Sequence, residues 1–392
     1  MLTRIHIENF RFCQNVTIDD AGAVVALVGR NGAGKSNILQ AIAQTARLAT
    51  SAEATGLSEL MRPGLPVTFE LDFKTGAEDY RYHLGFSFDE KGSKRPTTEE
   101  SLSRKDGTRL SNIVSRRSGQ VLVASRKDEI SIGDFTPCLP AISTLLPTTD
   151  SAVIEINPAR AFLSAIRYYP LNEPTESGIE NPFVPDTDYA KWASVYESTG
   201  IHNDDLMMRI IYMQQKRTDD FATLEHLVGK NGLGLIDKIV AMKLPVGAKN
   251  PQEEQFFHFV RFIPSRGSTS PVAVAYNELS LGTRRILRLL TSMLFDNNSV
   301  MLLEQPEDSL HQGLTKKLIG ILRSNALPSQ LIFSSHSSSL LNKLGPEEIR
   351  LVSLHNGFTQ ARVLTKTEVG IARKFMNEEG TLYDFLESVE ED

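Results

Sequence analysis

The sequence predicts an α/β fold: a doubly wound, largely parallel core interrupted by a long insertion. Three observations predict it. The apolar run "AVVALVG" (residues 23–29) enters a glycine-rich turn and then a stretch with helical spacing. Alternation of apolar strands and amphipathic helices resumes near residue 272 and continues through "SVMLLE", "LTKKLIGILR", "QLIFSSH" and "EEIRLVSL". Between these blocks, "VTFELDF" and "YRYHLGFSF" read as two paired strands joined by a polar turn containing Gly76.

Each element has its own warrant. "TRIHIENF" alternates with period two, as a half-buried strand does. "AVVALVG" has no polar face, which suits a central strand covered on both sides. In "NILQAIAQTARLA", Ile38, Leu39, Ile42 and Ala46 recur at helical spacing. Residues from about 136 to 264 read as mostly helical and irregular, and "DDLMMRIIYMQQ" carries a Met and Ile packing stripe. The acidic tail from Asn377 contains an amphipathic "TLYDFLESV", read as a docked terminal helix.

The chain has 392 residues, 41% hydrophobic and 23% charged, with a net charge of −6, a globular composition that excludes a protein basic overall. A local exception runs from Lys91 to Lys127. Ten cations (Lys91, Lys94, Arg95, Arg104, Lys105, Arg109, Arg116, Arg117, Arg126, Lys127) face three acids there (Glu99, Glu100, Asp106). That basic region is either a solvated loop-and-hairpin segment or a docking surface for nucleic acid or an acidic partner. The two cysteines, Cys13 and Cys138, form no zinc spacing or disulfide framework. No signal-peptide core and no membrane-length apolar stretch is found, so a cytoplasmic location and no membrane association are expected.

"GRNGAGKS" matches the phosphate-binding pattern G-x-x-x-x-G-K-[ST] at Gly29, Gly34, Lys35 and Ser36. Glycines let the amides of Arg30, Asn31, Gly32 and Ala33 turn inward around phosphate, and the helix starting near Lys35 and Asn37 adds its positive end. Lys35 then reaches the β- and γ-phosphates, and the Ser36 hydroxyl ligates Mg²⁺. A nucleotide site, with ATP and Mg²⁺ as cofactors, is the expectation.

"NELSLGTRRIL" then resembles the LSxG signature of ATP-binding-cassette ATPases, with Leu279, Ser280 and Gly282 in register. An apolar strand ending in Glu304 follows, and "LIFSSH" places His336 where such ATPases carry a switch histidine. "IHIENFRF" and "GKSNIL" look like the SMC and RecF branch. "EQPEDSLH" resembles the compact SMC-like ATPases of overcoming-lysogenization-defect (OLD) and abortive-infection anti-phage systems. The resemblance is firm over about residues 1–50 and 270–340. It implies a P-loop ABC-type ATPase head (1–135 and 265–392, discontinuous) with an antiparallel β subdomain and a largely helical insertion (136–264). It also implies a homodimer, or higher oligomer, closed around ATP. Ser280 and Gly282 of one subunit would then meet the γ-phosphate held by the other, with Asp308 at the seam and Arg11 near the nucleotide. No glutamine-loop residue is assigned.

Glu304 takes the Mg²⁺ carboxylate position, and Gln305 stands where the family has the glutamate that polarises water. An amide keeps the reach of a glutamate but cannot take a proton. Two explanations are open: a natural nucleotide-gated switch that scarcely turns over, or a deliberate Glu-to-Gln change that traps ATP. The second is favoured because every other element is intact. OLD-type nucleases carry a nuclease domain after the ATPase, whereas only residues 337–392 follow His336. No sustained heptads run between Ser36 and Leu279. The expectation is therefore a sensor or scaffold acting on a separate effector, a nuclease or toxin. A RecF-like repair ATPase clamping duplex DNA is the alternative, and a transporter half is disfavoured by the long insertion.

Overall fold

A computed structural model describes residues 1–51, 65–87, 97–117, 119–126, 128–133, 136–170, 183–199, 205–246, 255–265, 272–325 and 330–390. The chain divides into two compact units. The first comprises Met1–Pro170, Asn298–Pro306 and Leu322–Asp392, and the second Leu171–Asn297 and Glu307–Ile321.

The first unit opens with the hairpin β1 (Leu2–Phe10) and β2 (Cys13–Ile18). The buried strand β3 (Val24–Val28) follows, then helix α1 (Lys35–Thr50). A meander comes next: β4 (Val67–Thr75), β5 (Glu78–Ser87), β6 (Thr97–Asp106), β7 (Arg109–Arg117), β8 (Gln120–Val123) and β9 (Ile130–Ser131). Helices α2 (Cys138–Leu145) and α3 (Ser151–Ser164) lead into β10 (Ile166–Tyr169).

The second unit begins with β11 (Phe183–Pro185), α4 (Asp186–Thr199), α5 (Leu206–Lys216) and α6 (Thr218–Val228). The long strands β12 (Ile236–Val246) and β13 (Gln255–Pro264) and helix α7 (Leu281–Phe295) follow. The chain then returns through β14 (Val300–Glu304), α8 (Gln312–Asn325), β15 (Gln330–Ser334) and the short α9 (Ser338–Leu341). It finishes with β16 (Ile349–His355), β17 (Phe358–Val363), α10 (Lys366–Glu378) and α11 (Leu382–Glu390).

Among the described residues, three sheets form. An antiparallel sheet runs β2-β1-β4-β5-β6-β7-β8-β9, and a mainly parallel one runs β10-β14-β15-β3-β16-β17. Helix α1 packs against both, which explains its buried residues on more than one face: Ile38, Leu39 and Ile42, but also Ala41, Leu48 and Ala49. Phe69, Leu71 and Phe73 of β4 and Tyr80 and Tyr82 of β5 join this core, and Phe73 stacks on Phe162 of α3 at 4.6 Å. Each such fully buried aromatic contributes roughly 2–3 kcal/mol by removal from water. The Gln330 amide is buried between the sheets, accepting from Leu2 N at 2.8 Å and donating to Leu2 O and Gly22 O.

In the second unit β11, β13 and β12 form an antiparallel sheet. Helix α7 is fixed by its surroundings. Arg217 donates to the carbonyls of Leu294 and Phe295 at the helix end, each at 2.7 Å, and buried Arg209 donates to Ser292.

The α/β class and the antiparallel subdomain stand as expected. The stretch 136–264 holds helices α2 to α6 and, besides them, strands that its sequence does not signal. It contributes β10 to the parallel sheet beside β14 and holds the whole β12–β13 hairpin. Strand β10 has four residues, too few to show a period. In "QFFHFVRFIP" the period-two signal is hidden because apolar residues occupy both faces: Val260 and Phe262 are buried, while Phe257 and Phe259 are half-exposed.

On the antiparallel sheet Asp72 is buried, accepting from Arg81 at 2.6 and 2.8 Å and from Lys105 at 2.7 Å. Burial alone would raise its pKa, but the hydrogen bonds and charges of Arg81 and Lys105 bring it below the usual aspartate value. Asp72→Ala is expected to cost about 2–3 kcal/mol in urea unfolding at neutral pH, at the low end for a broken buried pair because both cations are partly exposed. A carboxyl with a lowered folded pKa contributes fully above its unfolded value of about 4 and loses that contribution as pH falls through the folded value. The stability gap between wild type and Asp72→Ala should therefore narrow as pH drops below about 4.

Candidate functional site

The phosphate-loop motif lies between the carboxyl end of β3 and the first turn of α1. Gly29, Gly32 and Gly34 take φ values of 153°, 81° and 100°, a conformation that side chains rarely adopt. Two of them are also backed closely by the β16–β17 hairpin. A Cβ at Gly29 would overlap Val352 O of β16, and one at Gly34 would overlap Thr359 Oγ1 of β17. Arg30, Asn31 and Gly32 form the exposed crest, and Ala33 is buried. The Lys35 ammonium is buried and folds back onto the loop, donating to Gly29 O at 2.7 Å and Arg30 O at 3.0 Å.

Parallel pairing brings the other residues to the same edge. Glu304 at the end of β14 is in register with Ser334 of β15, and Ser334 with Leu27 of β3. The Ser36 hydroxyl donates to one Glu304 oxygen, and the Tyr168 hydroxyl of β10 donates to the other. Gln305 turns the chain out of the strand with φ 43°, and its backbone N–H donates to Ser334 O at 3.1 Å. His336 follows β15 two residues beyond Ser334 and is half-buried. Arg11, in the β1–β2 turn with φ 51°, donates to Asn37 Oδ1 at 3.4 Å and to Gln40 Oε1. The expected partner of the phosphate site on this turn thus lies against the first turns of α1.

A hydroxyl and a carboxylate are hard oxygen donors of the kind Mg²⁺ takes, usually one or two protein groups completed by phosphates and water. Among the described residues no group of three or more His, Cys, Asp or Glu side chains forms a protein-only cage. Ser36 and Glu304 therefore fit a metal that arrives with nucleotide phosphates.

The remaining motif residues gather in the second unit. Ser280 caps α7, its hydroxyl accepting from Thr283 N at 3.3 Å. Gly282 lies so close to Ser309 O that a Cβ would collide with it, and Arg285 donates to Asp308 O at 2.9 Å. Ser280, Gly282 and Asp308 are thus neighbours in one unit, while Arg11, the phosphate loop, Glu304, Gln305 and His336 belong to the other.

In the basic region, several cations serve internal partners. Arg104 pairs with Glu78, Lys105 with Asp72, and Arg126 with Asp128 and Asp150. Arg116 is buried and donates to Gly133 O and Thr136 O. Lys91, Lys94, Arg95 and Lys127 lie outside the described residues, as does the side chain of Arg117. No helix among the described residues is long and apolar enough to cross a membrane.

Tyr168 and Thr359 were not marked by any motif. Tyr168 stands in a short strand within a stretch that reads as helical, and Thr359 meets the loop where a Cβ on Gly34 would lie.

Two family models match the chain. One, described as "AAA domain, putative AbiEii toxin, Type IV TA system", covers residues 210–342, and the other, described as "AAA domain", covers residues 4–133. No curated protein matches the sequence. Among solved structures, an SMC head bound to the C-winged helix domain of ScpA is 12% identical. That match covers 94% of this chain and 99% of that one, with a TM-score of 0.52. The SMC head domain from Thermotoga maritima is 13% identical over 93% of this chain and 99% of that one, with a TM-score of 0.46. Both matching models describe an AAA domain, and the fold of the chain is similar to that of an SMC head.

Gly34→Ala is expected to destabilise the protein by about 2 kcal/mol or more, combining left-handed backbone strain with overlap on Thr359. Adding Thr359→Ala should recover the overlap part but not the backbone part. Thermal unfolding of the two variants separates them.

Proposed function

We propose that this chain binds ATP with Mg²⁺ and that two copies close around the nucleotide. In this reading the closed dimer is a sensor or scaffold that controls a separate effector, a nuclease or toxin, in bacterial anti-phage defence. The observation that carries it is the sorting of the motif residues. Lys35, Ser36 and Glu304 converge at the carboxyl edge of one unit, while Ser280, Gly282 and Asp308 are clustered in the other. That sorting suits a site completed by a second copy. The defence role is supported by the "EQPEDSLH" resemblance and by the toxin–antitoxin wording of the family description.

Ser36 and Glu304 are the residues that would hold Mg²⁺, which would supply charge neutralisation at the phosphates. The rest falls to the chain. The loop amides between Gly29 and Lys35 cradle the phosphates. Lys35 exchanges its two carbonyl partners for phosphate oxygens, and Ser36 and Glu304 hold the metal side. Ser280 and Gly282 of the partner copy close the γ-phosphate, Asp308 lies at the seam, and His336 senses the γ-phosphate beside Gln305. Arg11 and Asn37 flank the loop. Gln305 can orient water by hydrogen bonding but accepts no proton, so binding and closure proceed while turnover is slow.

Gln305→Glu is expected to raise the ATP turnover rate about 100-fold or more. An unchanged rate, measured by phosphate release, would remove position 305 from the chemistry. ATP with Mg²⁺ should shift the protein from monomer to dimer in size-exclusion chromatography with light scattering. Lys35→Ala should abolish the shift with little change in melting temperature. Co-purification with the product of a neighbouring gene in the presence of ATP supports effector control. ATP-dependent duplex DNA binding with a steep salt slope would instead favour a RecF-like clamp.

A further inference from the structure

We infer that Tyr168 is a positioning residue for the metal carboxylate, orienting Glu304 toward Mg²⁺; the inference rests on the nucleotide-site reading above. Both Glu304 oxygens are engaged: Oε1 accepts from the Ser36 hydroxyl and Oε2 from the Tyr168 hydroxyl. The two contacts are not equivalent once metal is bound. If the Ser36 oxygen served as a metal ligand, its hydroxyl would no longer orient Glu304. Tyr168 remains, donating along the far oxygen and fixing the rotation of the carboxylate.

The phenol suits this task better than a cation. A lysine or arginine at this place would neutralise Glu304 and repel Mg²⁺, whereas a phenol supplies one hydrogen bond and no charge. Its placement is rigid. β10 pairs in parallel with β14, Tyr168 opposite Leu302, and the ring packs against the buried core of the first unit. The adjacent Tyr169 has the opposite orientation demanded by a strand, and its hydroxyl donates to Asn298 Oδ1 at 3.1 Å. Two neighbouring tyrosines in the same strand therefore separate the positioning role from a merely structural one.

The test is equilibrium binding of a fluorescent ATP analogue at rising Mg²⁺ concentration. Tyr168→Phe should raise the half-saturating Mg²⁺ concentration on the order of 10-fold, as loss of a hydrogen bond behind a metal ligand does. Its affinity for the analogue in EDTA should match wild type. Tyr169→Phe should keep the wild-type Mg²⁺ requirement, and Tyr168→Phe should add nothing in a Glu304→Gln background. A wild-type Mg²⁺ requirement in Tyr168→Phe, or an equal shift without the Glu304 carboxylate, overturns the assignment and leaves the nucleotide site standing. Failure of the wild-type protein to bind the analogue at any Mg²⁺ concentration overturns the underlying site reading, and this assignment with it. Should Tyr168→Phe fail to fold, Tyr168→Met removes the same hydroxyl while filling the space; the same rise is then expected, and a wild-type Mg²⁺ requirement overturns the assignment.

Discussion

The parallel pairing of β14, β15 and β3 is the constraint on which the first unit depends. All three strands are apolar and nearly wholly buried, so their faces supply packing and leave only their ends for chemistry. Their register places Glu304, Ser334 and the entry to the Gly29 loop along one edge. In parallel sheets of this kind, ligands bind outside the carboxyl ends, where the backbone turns away and helices begin. A one-residue slip of β14 would remove Glu304 from Ser36 and turn its side chain to the other face. The burial of Val300, Met301, Leu302 and Leu303 prevents that slip.

Around this edge the remaining structure acts as support. Helix α1 fills the space between two sheets, so the loop before it is held at both ends. Gln330 ties the first strand of the antiparallel sheet to the start of β15 by satisfying backbone groups of Leu2 and Gly22. The β16–β17 hairpin presses Val352 and Thr359 against the loop glycines. In the second unit, Arg209 and Arg217 hold α7 near its carboxyl end, while Ser280 caps its start.

What could be read from the chain followed physical necessity at single positions. Gly29, Gly34, Lys35 and Ser36 were legible because the loop demands those residue types at that spacing. Glu304 was legible because a strand with no polar face ends there in an acid. Tyr168 was not, since its partner lies 136 residues away and no local pattern marks it. The β12–β13 hairpin escaped because phenylalanines on both faces erase the period of two. The basic stretch invites a nucleic-acid reading from charge alone, but Asp72, Glu78, Asp128 and Asp150, all of which lie outside that stretch, engage several of its cations.

The resting contacts of Lys35 carry a consequence for ligand selection. Its ammonium already holds two carbonyl oxygens, so a ligand engages it only by offering something stronger than a neutral dipole. A β,γ-diphosphate does so, because charge-assisted bonds are roughly twice as strong as neutral ones. A nucleoside monophosphate carries no β- or γ-phosphate to make that exchange. On the proposed nucleotide-site reading, the loop would thus grade ligands by phosphate chain length, a threshold set by the protein's own backbone.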